Sequence, residues 1–386
     1  AEYLPTLVRY LAVAGALVLL ALAVYAVLRR LGAREETATG YALITPWLAG
    51  FLIWTAYPIV ASFYLSFTEY DVLQAPEWVG LRNYTRIFAQ DIDFWPAIRI
   101  TVLYAFFSVP LGIAGSLAVA LLLTTNIRGL GMYRTIYYLP SILPAVAVAL
   151  LWRWLFNPDA GLLNSMLRPI LTPLGVRPPN WFGDPQFVLP AFIIISLWGV
   201  AGAAMVIFLG ALKNVARQLL EAAEIDGANA WQRFRSVTIP MITPVIFLQL
   251  VMGIIGALQI FTVAAFIRYT PAAGKFMNVL IYQAGFQQFR MGYASALAWI
   301  LFAIILVLTL IVFRWSDAWV YYEGARGGEG ARKETSAWRK RSKPKDAASR
   351  RHRGSTVMHG TAAAATRHVS HKRSPTSSSR QARSFS

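Results

Sequence analysis

Residues 216–245 read ARQLLEAAEIDGANAWQRFRSVTIPMITPV, with six charged side chains and a central glycine between two long apolar runs. The portion EAAEIDGA (221–228) reads as a helix ended by Gly227, because glycine enters the left-handed region at a helix C-terminus without the penalty a Cβ brings. Asn229 then fits an N-cap, with Gln232 three residues on as a partial capping box. Trp231, Phe234 and Val237 follow at helical spacing, and Pro240 is expected to interrupt the path into the next apolar run. The segment is therefore helix, sharp turn, helix. Its first helix offers Ala222 and Ala223, small enough for a partner to come close, beside the acceptors Glu221, Glu224 and Asp226. A mere connector needs no such construction.

The flanking runs set the fold class. Of 386 residues, 57% are hydrophobic and 14% charged, against roughly a quarter charged in soluble domains. A membrane span needs about 20 apolar residues, and seven windows qualify: 7–29, 42–67, 98–124, 135–156, 187–212, 243–267 and 293–315. Several are longer than a bilayer requires, which predicts tilt or an amphipathic end. The expected class is an all-α polytopic membrane protein. The first run is not read as a signal peptide. Its main positive charges, Arg29, Arg30 and Arg34, follow the apolar core and hold that end in the cytosol.

Short basic loops orient the spans. Lys and Arg collect in 29–34, 126–134 and 213–235, whereas 68–96 holds Glu69, Asp71, Glu77, Asp91 and Asp93 against Arg82 and Arg86. Seven spans then place the N-terminus outside, and the C-terminus and the opening stretch in the cytosol. The outer loop 156–186 mixes turn dipeptides with the amphipathic LLNSML (162–167) and the pair Trp181-Phe182. It is expected to be structured and to cover the outer mouth. Asn83-Tyr84-Thr85 matches a glycosylation sequon but reads as a helix start. Residues 324–386 carry sixteen Lys and Arg against three acidic residues, which is thirteen of the eighteen net positive charges. With few large apolar residues, this tail is expected to be disordered and solvated, touching membrane lipid at most; no nucleic-acid partner is expected.

There is no cysteine, and His352, His359, His368 and His371 all lie in the tail, so no metal site is expected within the spans. No Asp or Glu falls in a mid-span, which argues against proton- or sodium-coupled transport and against a paired-Asp protease. No GxxxxGK[ST] loop is present to cradle a nucleotide. What remains is neutral: Ser196 and Trp198 in the fifth window, and Gln259 and Thr262 in the sixth. Tyr293 and Ser295 open the seventh. Hydroxyls and amides suit a neutral polyol, and aromatic faces pack on sugar C–H surfaces; as a set, their neutrality argues against a phosphate or carboxylate substrate. Ser196, Trp198, Gly253, Gly256 and Gln259 are the candidate substrate path, although the same residues also suit helix–helix packing. The alternative from a different class is a polytopic membrane enzyme, such as a lipid-linked glycosyltransferase, using Asp71, Asp91 or Asp93.

The stretch EAAEIDGANAWQRFRSVTIP (221–240) resembles the EAA motif of permease subunits of binding-protein-dependent ABC importers, matching at Glu221, Ala222, Ala223, Asp226, Gly227, Phe234 and Pro240. Four other stretches are similar to the carbohydrate branch, in particular the first permease of the maltose or glycerol-3-phosphate type. They are PIVASFYLSFTEYD (58–71), VGLRNYTRIF (79–88), YYLPSILPAVAVALLWRWLFNPDAGLLN (137–164) and GYASALA (292–298). The resemblance implies that the loop of about 216–240 docks into an ATPase as a coupling helix, with ATP and Mg bound by that partner and no cofactor in this chain. It also implies a second EAA-type permease, two ATPase subunits, an extracytoplasmic substrate-binding protein, a sugar substrate, and a bacterial or archaeal plasma membrane. A six-span core then occupies 42–320, after an extra helix and linker (1–41) and before the basic tail (321–386).

Overall fold

The computed structural model describes residues 4–124, 129–200 and 202–321; the basic tail expected from the sequence lies outside the described residues save for its first. Helix α1 (Leu4–Arg30) packs against α2 (Glu35–Phe51), which continues through a π-turn (Leu52–Ala56) into α3 (Tyr57–Ser66). Leu, Val, Ile and Trp side chains stand exposed along these helices. That surface suits a solvent as apolar as itself. Next come a two-stranded hairpin, β1 (Thr68–Glu69) with β2 (Glu77–Trp78), and α4 (Arg82–Ala89). Asn83 is buried in α4 and donates to the carbonyls of Ser66 (3.0 Å) and Thr68 (2.8 Å), so its amide ties the hairpin to the helix rather than offering a glycosylation site.

Helix α5 (Phe94–Leu122) is the axis of the bundle and packs against α9 (Pro185–Trp198), α10 (Ala203–Lys213) and α13 (Ile239–Leu258). Phe192, Phe208 and Phe276 are fully buried around it. Between apolar neighbours in a lipid-like solvent, close packing and dispersion hold such contacts more than solvent exclusion does. Helix α16 (Met291–Trp319) closes the other side against α3 and α13. Gly292 at its start permits this: a Cβ there would stand 2.0 Å from the Thr68 carbonyl oxygen.

Among the described residues, five helices are long and apolar enough to span a membrane, and seven if each of two bent pairs is one span. The bends are what the seven apolar windows did not show. The window 135–156 divides into α6 (Leu130–Ile142) and α7 (Ala145–Leu155), which turn 94° from each other. Pro144 causes this, because a residue before proline is driven out of the helical region and Leu143 is extended (ψ 136°). The window 187–212 is α9 and α10, bent by 51°. Pro240 gives the opposite correction. The expected interruption is absent: the helical path runs on from Ala230 to Leu258, and a π-turn (Phe234–Thr238) immediately precedes the proline. The wider turn makes room for a ring that would otherwise press on the carbonyl four residues back.

Candidate functional site

The opening stretch folds as α11 (Arg217–Ile225), a turn, and α12 (Ala230–Arg233). Gly227 has φ +80°. Around it the Gly227 N–H reaches the Glu224 carbonyl (3.0 Å) and the Ala228 N–H reaches that of Ala223 (2.9 Å), the two bonds of a Schellman motif. Asn229 and Gln232 form a complete capping box: the Gln232 N–H donates to Asn229 Oδ1 (2.9 Å) and the Asn229 N–H to Gln232 Oε1 (2.8 Å). Arg233 pairs with Glu224 at 2.6 Å and so bridges the turn. Glu221 accepts from Arg217 one helical turn earlier (2.7 Å), and both side chains are largely in solvent. Such a pair contributes little to stability and exchanges easily for another cation.

Two apolar side chains of the loop face outward. Ile225 is 86% exposed and Trp231 66% exposed, the latter's ring tilted against that of Phe234. Ala222 and Asp226 are exposed, while Ala223, Phe234 and Pro240 are half-buried. An exposed aliphatic and an exposed indole thus stand beside the charged side chains of this double helix. Arg217 and Arg233 were the residues missed by reading the sequence; the four-residue spacing of Arg217 and Glu221 was the available signal.

A cavity of about 410 Å³ opens between α5, α9 and α13, with a neutral lining. Tyr104, Ser108 and Ser116 come from α5, Ser196 from α9, and Gln249, Gly253 and Gly256 from α13. Tyr104 shares the lining with Ser108 on its own helix and Ser196 opposite. Ser116 Oγ donates to the Val200 carbonyl (2.6 Å), which ties α5 to the bend between α9 and α10. The Gln249 amide makes no hydrogen bond to a described residue. A Cβ on Gly253 would stand 2.9 Å from Val109, whereas one on Gly256 would meet open space.

The cavity therefore gathers Ser196, Gly253 and Gly256. Trp198 instead packs edge-on against Trp152 (5.8 Å). Gln259 ends α13 with its side chain exposed and its carbonyl held by Asn278 (2.8 Å). Neither lines the cavity. Sequence reading missed Tyr104, Ser108, Ser116 and Gln249. The four-residue steps from Tyr104 to Ser108, Gly112 and Ser116 place these on one helix face.

The carboxylates of Asp71, Asp91 and Asp93 are committed to structure. Asp71 caps a turn through the Leu73 and Gln74 N–H groups (3.2 and 3.0 Å). Asp93 pairs with Lys275 (2.7 Å), and Asp91 accepts from the Tyr293 hydroxyl. Arg290 stands over the Tyr293 ring at 4.2 Å, its pKa lowered by burial and then by neighbouring Arg86.

The family of binding-protein-dependent transport system inner membrane components matches residues 112–320. The chain belongs to this family. The permease is 40% identical over 295 residues to the probable ABC transporter permease protein YesP of Bacillus subtilis, a match covering 75% of this chain and 94% of that one. It is 31% identical over 285 residues to the trehalose/maltose transport system permease protein MalF of Thermococcus litoralis, covering 72% and 94%. Among solved structures it superposes on a chain of a bacterial alginate ABC transporter, crystallised with an alginate pentasaccharide-bound periplasmic protein. That match has a TM-score of 0.63 and 25% identity, and covers 72% of the permease and 93% of that chain. The permease is thus a multi-pass membrane subunit of an ABC transporter, not an enzyme with a catalytic centre among those carboxylates.

Proposed function

We propose that the permease forms, with a second permease of its family, the path by which an ATP-driven importer carries a sugar or related polyol inward. One observation carries this reading: a rigid, charged double helix exposing Ile225 and Trp231 sits in the same chain as a neutral, hydroxyl-lined cavity. The first can be gripped by ATPase subunits that bind ATP and Mg. The second can pass a polyol, whose hydroxyls exchange water for Tyr104, Ser108, Ser196 and Gln249. Relatives named as sugar permeases support the same substrate class. In this reading the N-terminus and the segment 156–184 face outward, where a substrate-binding protein delivers the solute. Loop 217–233 and the C-terminus face the cytosol, and α1 is an addition to a six-span core.

Reconstitution of the permease with its companion permease, ATPase and binding protein in liposomes tests this. Uptake of a labelled sugar that requires internal ATP is expected. ATP hydrolysis that no sugar-loaded binding protein stimulates would contradict the reading.

A further inference from the structure

Where α7 and α14 (Thr262–Phe266) end, a second cavity of about 370 Å³ lies beside the 156–184 segment. Arg153, Arg268, Asn157 and Asn180 line it with Phe182 and Tyr269. Neither arginine makes an ion pair, hydrogen bond or ring contact with any described residue. No carboxylate lines the cavity, although Asp159 and Asp184 stand close in sequence.

The two amides are committed at their oxygen ends. Asn157 Oδ1 accepts from the N–H groups of Asp159 (3.0 Å) and Ala160 (2.9 Å). Asn180 Oδ1 accepts from the Gly183 N–H (2.9 Å). What each amide has left is its NH₂. The Tyr269 hydroxyl already accepts from the Phe276 N–H (3.2 Å), and burial raises its pKa, so it remains neutral. The lining is therefore two guanidinium groups and two amide donors, with aromatic walls. Two like charges around one cavity repel unless an anion lies between them, and guanidinium forks match the planar oxygens of a carboxylate. The aromatic walls suit the C–H face of a pyranose ring, which a bare phosphate lacks.

We propose that this cavity is an entry site for an acidic sugar, binding its carboxylate between Arg153 and Arg268. The proposal rests on the sugar-permease reading and narrows it. The neutral inner cavity fits the same route. A cation at mid-path would hold a carboxylate too firmly to release it, whereas a charged mouth recruits the anion and a neutral interior lets it pass.

The test uses the permease assembled with its companion subunits in phosphatidylcholine nanodiscs, with digalacturonate, neutral digalactose and inorganic phosphate as probes. Binding is read by saturation-transfer NMR for the sugars and by phosphorus line width for phosphate. The wild type should prefer digalacturonate to digalactose, and the Arg153→Gln, Arg268→Gln double variant should lose that preference about tenfold. Should the double variant fail to assemble, Asn180→Asp serves instead: it sets a carboxylate among the donors and should produce the same loss. Equal digalacturonate binding by wild type and variants would overturn the proposal. So would a wild type that binds no digalacturonate, or arginine-dependent binding of phosphate alone, the signature of a headgroup site. Digalactose-stimulated ATP hydrolysis by the complete wild-type transporter separates the two claims. If it occurs while the digalacturonate arm fails, the sugar-permease reading stands and only the acidic site falls.

Discussion

Arg233 and Glu224 meet at 2.6 Å across the turn that Gly227 makes, joining two helices otherwise linked by four residues. Arg233 is the better covered partner, 28% exposed against 66% for Glu224. After allowance for solvent screening, such a contact adds at most about 1 kcal/mol to stability. Its larger effect is on the angle between α11 and α12.

Arg233→Ala should therefore leave insertion and melting temperature nearly unchanged while reducing substrate-stimulated ATP hydrolysis severalfold. The charge-swapped pair, Glu224→Arg with Arg233→Glu, should recover part of that loss. A large fall in melting temperature with normal stimulation would assign the pair to folding instead.

Gly292→Ala should cost stability directly. The added methyl would stand 2.0 Å from the Thr68 carbonyl oxygen, and overpacking of this kind costs about 1–3 kcal/mol. The expected result is lower membrane abundance and a lower melting temperature in detergent, with Ser295→Ala as the comparison on the same helix. Unchanged abundance and melting would show that the hairpin carrying Thr68 shifts freely.

The sequence made loop 217–233 legible almost residue by residue, because its signals are local: Gly227 for a left-handed turn, Asn229 and Gln232 for a cap. The neutral cavity between α5, α9 and α13 was less legible. Ser196, Gly253 and Gly256 line it, but Trp198 and Gln259 do not, since their orientation depends on a 51° bend after α9 and on the break that ends α13. Hydropathy reports that a run is apolar and cannot report how it bends. Pro144 carried the signal for the 94° turn at Leu143. Pro240 carried a similar signal, and there a π-turn absorbed it.

Gln249→Leu should raise the KM for sugar uptake about tenfold, because a cavity built to bond hydroxyls loses an amide with no other partner. Gln259→Leu should change KM by less, since that side chain lies outside the lining. The reverse order of effects would move the path toward the end of α13.

The central claim is that loop 217–233 transmits ATP-driven motion to the spans. It is tested most directly by ATP hydrolysis and sugar uptake in proteoliposomes containing the Glu221→Lys, Gly227→Val double variant. A β-branched residue at φ +80° costs roughly 1–2 kcal/mol and swings the two helices apart. The reversed charge at 221 breaks the pair with Arg217 and repels any cation on the ATPase. The account predicts a permease that still inserts and still binds its companion permease, with sugar-stimulated hydrolysis and uptake both lost. Uptake at the wild-type rate would contradict it.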